Sequence, residues 1–251
     1  MIYSRRIIDF YNKIKNRTSV REYDQNKQIG EQELQKILEV VNSAPTSSNW
    51  HSSSVIVVRD KELLHKLGQS NKYTGAITSC DTFLVFLADY NRMNLAKEMF
   101  PELLYNSHSS ESYTVGVGDA FIQATMAQDI AKDLGISSCF LGLVRMMESD
   151  LIETLNIKGQ AFPVIGLTLG YAKEENNLVK PKMNRIFMNQ YNIERLKTDT
   201  EEYNKPLEEY FATVALGKKF YTYKEATIRS ASGYRMETKL IEDIWKLVLE
   251  K

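Results

Sequence analysis

Four short apolar runs constrain this chain more than any other feature: Ser54–Val58 (SVIVV), Phe83–Ala88 (FLVFLA), Cys139–Val144 (CFLGLV) and Val164–Leu169 (VIGLTL). Each is too short for a buried helix and rich in β-branched or aromatic residues, so each reads as a core strand. Helix-periodic segments stand between and before them. Ile7, Tyr11 and Ile14 mark one helix near 4–16, and Leu34, Ile37, Leu38 and Val41 mark another over 31–43. The stretch Ser43–Asn49, with Pro45, breaks that second helix. A short helix is expected near 61–69, and a long one from Asp119 to Leu134 stopped by Gly135. In the long helix Ala120, Ala124, Ala127 and Ala131 form a small-residue stripe, with Phe121, Ile122, Met126 and Ile130 on adjoining faces. Such a helix is buried, and its stripe allows close helix–helix approach, across a dimer interface among other places. Strands alternating with helices define an α/β or α+β class; the pattern leaves the crossover topology open.

Two regions lack this order. Residues 91–118 are polar and irregular, with Pro101 and the cluster NSHSSES, and read as a mobile excursion over a site or a long surface insertion. Beyond residue 183 the chain turns polar and charged with no clear strand, until Leu240, Ile241, Ile244, Trp245 and Val248 mark a last helix near 237–250. The division expected is a core over 1–183 and an extension over 184–251 that packs on the core and on a partner subunit.

Composition removes several functions. Hydrophobic residues make up 43% and charged residues 25% of the 251, with zero formal net charge, which argues against a nucleic-acid-binding protein. No apolar run approaches the ~18 residues of a membrane span, and the N-terminus lacks the apolar core of a secretion signal. Cys80 and Cys139 show no CxxC spacing and lie in apolar runs, so buried free thiols and a cytoplasmic location are expected. His51, His65 and His108 show no metal-ligand spacing; His65 reads as a surface residue and His108 as solvated. GxGxxG, P-loop, HExxH and GxSxG motifs are all missing. No side-chain machinery for catalysis is evident, so a cofactor must bring the reactivity.

Charge is locally uneven. Arg5, Arg6, Lys13, Lys15, Arg17 and Arg21 face one acid, Asp9, giving this segment +5 and the remainder −5. Within it, Arg17-Thr18-Ser19-Val20-Arg21 places two guanidiniums and two hydroxyls in five residues, a donor set suited to phosphate oxygens. Lys180 and Lys182 add a second cationic pair. Gly142, read as lying inside a strand, marks either a bulge or a place where a ligand meets the backbone, unless packing alone requires it.

In order, the chain carries Arg-Thr-Ser-x-Arg, then Pro-Thr-Ser-Ser-Asn-x-His, then Gly68-Gln69. Cys-Phe-Leu-Gly-Leu-Val-Arg, Phe-Pro-Val-Ile-Gly-Leu-Thr-Leu-Gly-Tyr and Lys180-Pro181-Lys182 follow. This set resembles the nitroreductase family of FMN-dependent NAD(P)H oxidoreductases, and is most similar to its NADPH-dependent oxygen-insensitive nitroreductase and NADPH–FMN oxidoreductase branch. The resemblance covers roughly 7–251. It implies an α+β, three-layer α/β/α sandwich with a mainly antiparallel sheet, assembled as a domain-swapped homodimer with a C-terminal extension. It implies that Arg17, Thr18, Ser19 and Arg21 bind FMN, with Lys180 and Lys182 on its phosphate. Thr46, Ser47, Ser48, Asn49 and His51 match a loop that reaches the flavin of the other subunit. Gln69 matches a contact to the ring's polar edge or the ribityl chain, and Leu141, Gly142 and Leu143 match the strand lying against the flavin. Lys218 and Lys219 stand about where the branch holds the NADPH 2′-phosphate. The chain departs from the branch in having Arg17 for His, Thr18 for Arg, His51 for Gln, Leu143 for a second Gly and Lys182 for Arg.

The implied activity is ping-pong transfer of two electrons from NADPH, or NADH, through FMN to a small acceptor such as a nitroaromatic, a quinone or free flavin. No side chain acts as catalyst in this scheme, and no metal takes part. A non-catalytic flavin-binding module for sensing or storage is the alternative, and a cofactor-free partner-binding protein with a basic patch is a further rival.

Overall fold

A computed structural model describes residues 2–174, 178–214, 219–233 and 238–246. The chain divides into two compact units, one of residues 1–176 with 236–251 and the other of 177–235. In the first, α1 (Ile2–Lys15) and α2 (Glu31–Asn42) precede β1 (Ser53–Val58). Then come α3 (Lys61–Gly68), α4 (Gly75–Ser79), β2 (Thr82–Asp89), α5 (Asn91–Met99), α6 (Ser110–Asp133), β3 (Ser137–Leu141), α7 (Glu148–Thr154) and β4 (Ala161–Gly170). The second unit holds α8 (Ile193–Glu202), α9 (Asn204–Val214) and α10 (Tyr223–Gly233), and α11 (Thr238–Trp245) returns to the first.

The sheet runs in the order β1-β2-β4-β3 with every neighbouring pair antiparallel. The alternation along β2 explains why its sequence is apolar throughout. Leu84, Phe86 and Ala88 pack with α2 and with the alanines of α6, whereas Phe83, Val85 and Leu87 pack with α3, α4 and α7. Helices therefore cover both faces, giving the three-layer α+β sandwich expected from the resemblance. The four alanines of α6 are fully buried in the layer against the sheet. Their small side chains bring the helix close to the strands, so the stripe does not serve a dimer interface; Phe121 and Ile122, on the outer face, are 42% and 40% exposed.

Three local readings are corrected by the structure. Residues 91–118 are mostly helical: α5 fills the start, and α6 begins at Ser110, capped by the Ser109 hydroxyl accepting from Ser112 N (3.1 Å). Gly116, within α6, permits close packing. A Cβ there would stand 3.1 Å from Ala88 Cβ and 3.2 Å from the Tyr90 ring. The third strand ends at Leu141, and Gly142 opens a 3-10 turn (Gly142–Met146) rather than lying mid-strand. His108 is held rather than solvated, with its Nδ1–H donating to the Trp245 carbonyl (2.6 Å). Trp245 itself is fully buried against Tyr90, Tyr113 and Phe162, so the last helix contributes to the core of the first unit. Val248 lies outside the described residues.

The β2–β4 register shifts between Phe86 and Leu87, pairing Phe86 with Ile165 and Leu87 with Pro163. Proline, which has no N–H to donate, is tolerated at such an irregularity. Nearby, a Cβ on Gly166 would stand 2.6 Å from Phe83 Cε2 and 2.8 Å from Val144 Cγ1, both in the core. Gly166→Ala should therefore overpack the sheet and destabilise the protein by about 1–3 kcal/mol, read as a lower urea midpoint at unchanged slope. An unaltered midpoint would show that Phe83 and Val144 yield without cost.

Candidate functional site

The cationic segment is built onto the free edge of β3. Val20 N–H donates to Ser138 O (3.0 Å), Asp24 N–H to Tyr171 O (2.8 Å), and Lys173 N–H to Glu22 O (3.1 Å). Tyr23, bridged to Ala172, lies over Gly170, where a Cβ would come within 2.7 Å of its ring. Its hydroxyl reaches Thr168 Oγ1 (2.8 Å), and burial pushes the phenol's pKa well above its usual value. On the other side, Lys13 ties α1 to Asp133 at the end of α6 (3.1 Å) and also pairs with Asp9 (2.9 Å). Arg17–Arg21 is thus clamped at both ends.

The clamp gathers charge at one point. Burial raises the Cys139 thiol, and Arg21, a hydrogen bond from Ser19 and then Arg17 oppose that rise. Burial likewise raises the Asp129 carboxyl, with Arg17 opposing it. Arg17, Ser19 and Arg21 therefore converge beside Cys139, three residues before Gly142. Thr18 lies between them, half-buried.

At the end of β3 the chain turns through Gly142 and Leu143. Leu141 is buried, while Gly142 and Leu143 are half-buried. The turn is backed by Arg145, a residue not singled out as a site candidate from sequence. Its Nη1 donates to Val164 O (2.8 Å), at the position the β2 register skips, and its guanidinium would lie 3.2 Å from a Cβ on Gly142. A Gly directly after a strand end, with an Arg three further on, is the only signal the sequence carried for this contact.

The loop before β1 is strained. Ser48, Asn49 and His51 have φ of 48°, 58° and 49°, left-handed values that cost about 1–3 kcal/mol each for residues with a Cβ. The ties that hold it are specific. Asp119 of α6 accepts from Ser47 N (3.2 Å) and Ser52 Oγ (2.6 Å), Thr46 Oγ1 accepts from His51 N (3.1 Å), and Arg92 Nη1 donates to His51 O (3.2 Å). Ser47, Ser48, Asn49 and His51 remain exposed. Asp119 and Arg92 were also missed from sequence, since neither carries a motif.

Strand order places these parts. Ser53, at the start of β1, pairs with Ala88, which pairs with Phe162; Leu141, at the end of β3, pairs with Gly166 of the same strand β4. The Ser47–His51 loop and the Gly142 turn therefore sit on opposite edges of the sheet, and they are also offset along it, since Leu141 pairs mid-way along β4. Three strand spacings, about 14 Å, across the sheet and about 13 Å along it separate the strand ends they flank. Gln69 is exposed at the C-cap of α3, held by the close packing of Gly68 against Thr78. Lys180 and Lys182 belong to the second unit, where Lys180 Nζ stands 5.9 Å from the Phe211 ring. Lys219 is exposed there beside Tyr221 (5.0 Å), and Lys218 lies outside the described residues. Among the described residues no cluster of His, Cys, Asp or Glu could hold a metal, and no helix is long and apolar enough to cross a membrane.

A segment rich in guanidinium and hydroxyl donors thus lies along β3 close to a half-buried backbone turn at Gly142. The chain belongs to the nitroreductase family, whose model matches residues 14–171, and it is an enzyme of the oxidoreductase class. It is similar to the FMN reductase [NAD(P)H] of Bacillus subtilis, 29% identical over 213 residues, covering 83% of this chain and 85% of that one. It is also similar to an NADPH-dependent oxidoreductase of Staphylococcus haemolyticus, 27% identical over 248 residues, covering 96% and 98%. Among solved structures, NfrA2 of B. megaterium superposes with a TM-score of 0.88 at 26% identity, covering 96% of this chain and 99% of that one.

Cys80 and Cys139 are both free and buried. Burial pushes Cys80 up to about 12 and raises Cys139 as well. Neither thiol should react with a disulfide reagent at pH 8 until urea unfolds the chain; reaction of the native protein would contradict this burial. The sign follows from linkage. Below the ordinary thiol value near 9 both states are protonated and the native advantage is complete, and stability falls as pH rises from about 9 toward about 12.

Proposed function

We propose that this enzyme oxidises NADPH and delivers the two electrons to a small acceptor, a nitroaromatic, a quinone or a free flavin, with FMN as its resident cofactor. The observation that carries this reading is the convergence of Arg17, Ser19 and Arg21 beside Cys139, next to the backbone turn at Gly142. The donor set fits the group. Two guanidiniums and a hydroxyl match a phosphate monoester, and the half-buried turn at Gly142 offers a flat ring a wall without a side chain. By family resemblance Lys180 and Lys182 serve the same phosphate, Gln69 the ring's polar edge or the ribityl chain, and Thr18 and Leu143 the neighbouring contacts. FMN bound here supplies hydride acceptance and two-electron donation.

The chain's own residues position and polarise. Arg17 and Arg21 would hold the phosphate by charge-assisted hydrogen bonds, and cations and main-chain donors near the ring's polar edge would stabilise negative charge there. Donor and acceptor occupy the same open face in alternation. Lys218 and Lys219 favour the 2′-phosphate of NADPH over NADH by charge.

The protein acts as a homodimer in this reading, with the Thr46–His51 loop completing the flavin site of the second copy. The support is geometric: that loop and the Gly142 turn of its own chain flank opposite edges of the sheet, about 14 Å apart across it and offset along it as well, so the loop is available to another. The outer face of α6, with Phe121 and Ile122, together with Phe10 and Tyr11 of α1, offers apolar surface for the contact, and the second unit extends onto the partner. Buried free thiols fit the reducing cytoplasm.

Purified protein should be yellow, and anaerobic NADPH should bleach the flavin band within the turnover time, with a nitroaromatic or quinone restoring it. A yellow protein that NADPH leaves unchanged is a flavin-binding module; a colourless one that takes up no FMN ends the proposal. Arg21→Ala should weaken FMN retention by about 1.5–3 kcal/mol, or roughly ten- to a hundred-fold in dissociation constant. Equal affinity in that variant, measured by flavin fluorescence, would remove Arg21 from the site.

A further inference from the structure

We infer that Asp119 is a positioning residue for the flavin, acting through the strained loop rather than by contact. The inference rests on the reading above that Thr46–His51 touches FMN. Asp119 is a carboxylate only 3% exposed, and it is the one acid among the buried positions of α6, most of which are alanine or other small residues. Among the described residues no cation pairs with it, and burying a charge without one is unfavourable. Packing against the sheet would be served as well by another small apolar residue, so the acid is retained for what it binds.

What it binds is the two ends of the strained stretch. One oxygen takes Ser47 N–H (3.2 Å) and the other takes the Ser52 hydroxyl (2.6 Å). Between those anchors lie Ser48, Asn49 and His51, the three residues with left-handed backbone. A free loop of this composition has no reason to choose that path. One carboxylate bridging positions 47 and 52 shortens the span and forces the intervening residues outward, where Ser47, Ser48, Asn49 and His51 are exposed to a ligand. Gly116, one turn earlier on the same face of α6, lets the helix come this close: a Cβ there would stand 3.3 Å from the Ser52 carbonyl. Arg92 holds the other flank through the His51 and Ser53 carbonyls. A charged acceptor suits this task better than an amide, because both of its oxygens accept and its hydrogen bonds are the stronger kind.

The test uses the full-length protein stripped of FMN and titrated with FMN by fluorescence, alongside its thermal midpoint without FMN and the visible circular dichroism of the bound flavin. Asp119→Ala should raise the FMN dissociation constant about tenfold or more and alter the flavin dichroism. Asp119→Asn, which keeps an acceptor for Ser47 N–H and can donate to Ser52 Oγ, should recover most of that loss. Asn49→Ala tests the underlying reading separately. If Asn49→Ala weakens FMN and Asp119→Ala does not, the inference fails and the loop reading stands. If Asn49→Ala and His51→Ala both leave FMN affinity unchanged, the loop reading fails and takes the inference with it. If Asp119→Asn recovers the apo thermal midpoint but not FMN affinity or dichroism, positioning through the two anchors is overturned. Should Asp119→Ala fail to fold, Ser52→Ala, which removes one anchor alone, should still weaken FMN several-fold, and unchanged affinity there overturns the proposal.

Discussion

Burial of the two central strands on both faces is the constraint on which the rest depends. With α2, α6 and α11 on one side and α3, α4 and α7 on the other, β2 and β4 have no surface at which a ligand could enter. Chemistry is left to the edges and ends of the sheet. The basic segment takes the open edge of β3, the Gly142 turn takes its end, and the Thr46–His51 loop takes the opposite edge of the sheet, before β1. A rigid, fully desolvated centre also holds these peripheral pieces at fixed separations.

Close approach recurs as the means by which that rigidity is reached. Gly116 lets α6 sit against Tyr90 and the Ser52 backbone, Gly166 leaves room for Phe83 and Val144, and Gly170 accepts the ring of Tyr23. The last of these matters most to the site. Tyr23 occupies the space a side chain on Gly170 would fill, and by docking there it holds Arg21 and Ser19 along β3. The buried hydroxyl of Tyr23 is satisfied by Thr168, so the anchor carries no unpaired polar group into the core.

Much of the core was legible because hydrophobic burial writes itself locally. The four apolar runs became the four strands with ends shifted by a few residues, and Leu34, Ile37 and Val41 bury the face of α2 that their spacing marks. Legibility failed where a residue's role depends on something distant in sequence. The reason for Gly116 is Ala88 and Tyr90, which nothing local announces, and the α6 alanines suggested a partner helix because nothing local distinguishes a sheet from a helix as their neighbour. Gly142 looked mid-strand because the apolar run continues past it, whereas pairing with β4 stops at Leu141. The cationic and hydroxyl candidates around Arg17–Arg21 were visible as residue types. Arg145, Asp119 and Arg92 were not, since a lone charged residue in a helix or turn carries no pattern.

The sequence by itself determined the four core strands, the amphipathic helices that flank them, the basic segment and the ordered motifs that place the chain among the nitroreductases. These are properties of residue type and spacing, which act over one or two turns of chain. Tertiary structure alone decided that the sheet is antiparallel throughout, that Arg17, Ser19 and Arg21 meet at Cys139, and that one buried carboxylate ties both ends of a strained loop. Each of these joins residues far apart in the chain, and only long-range packing, with the entropy cost it overcomes, can select such a pairing from the many that local propensity permits.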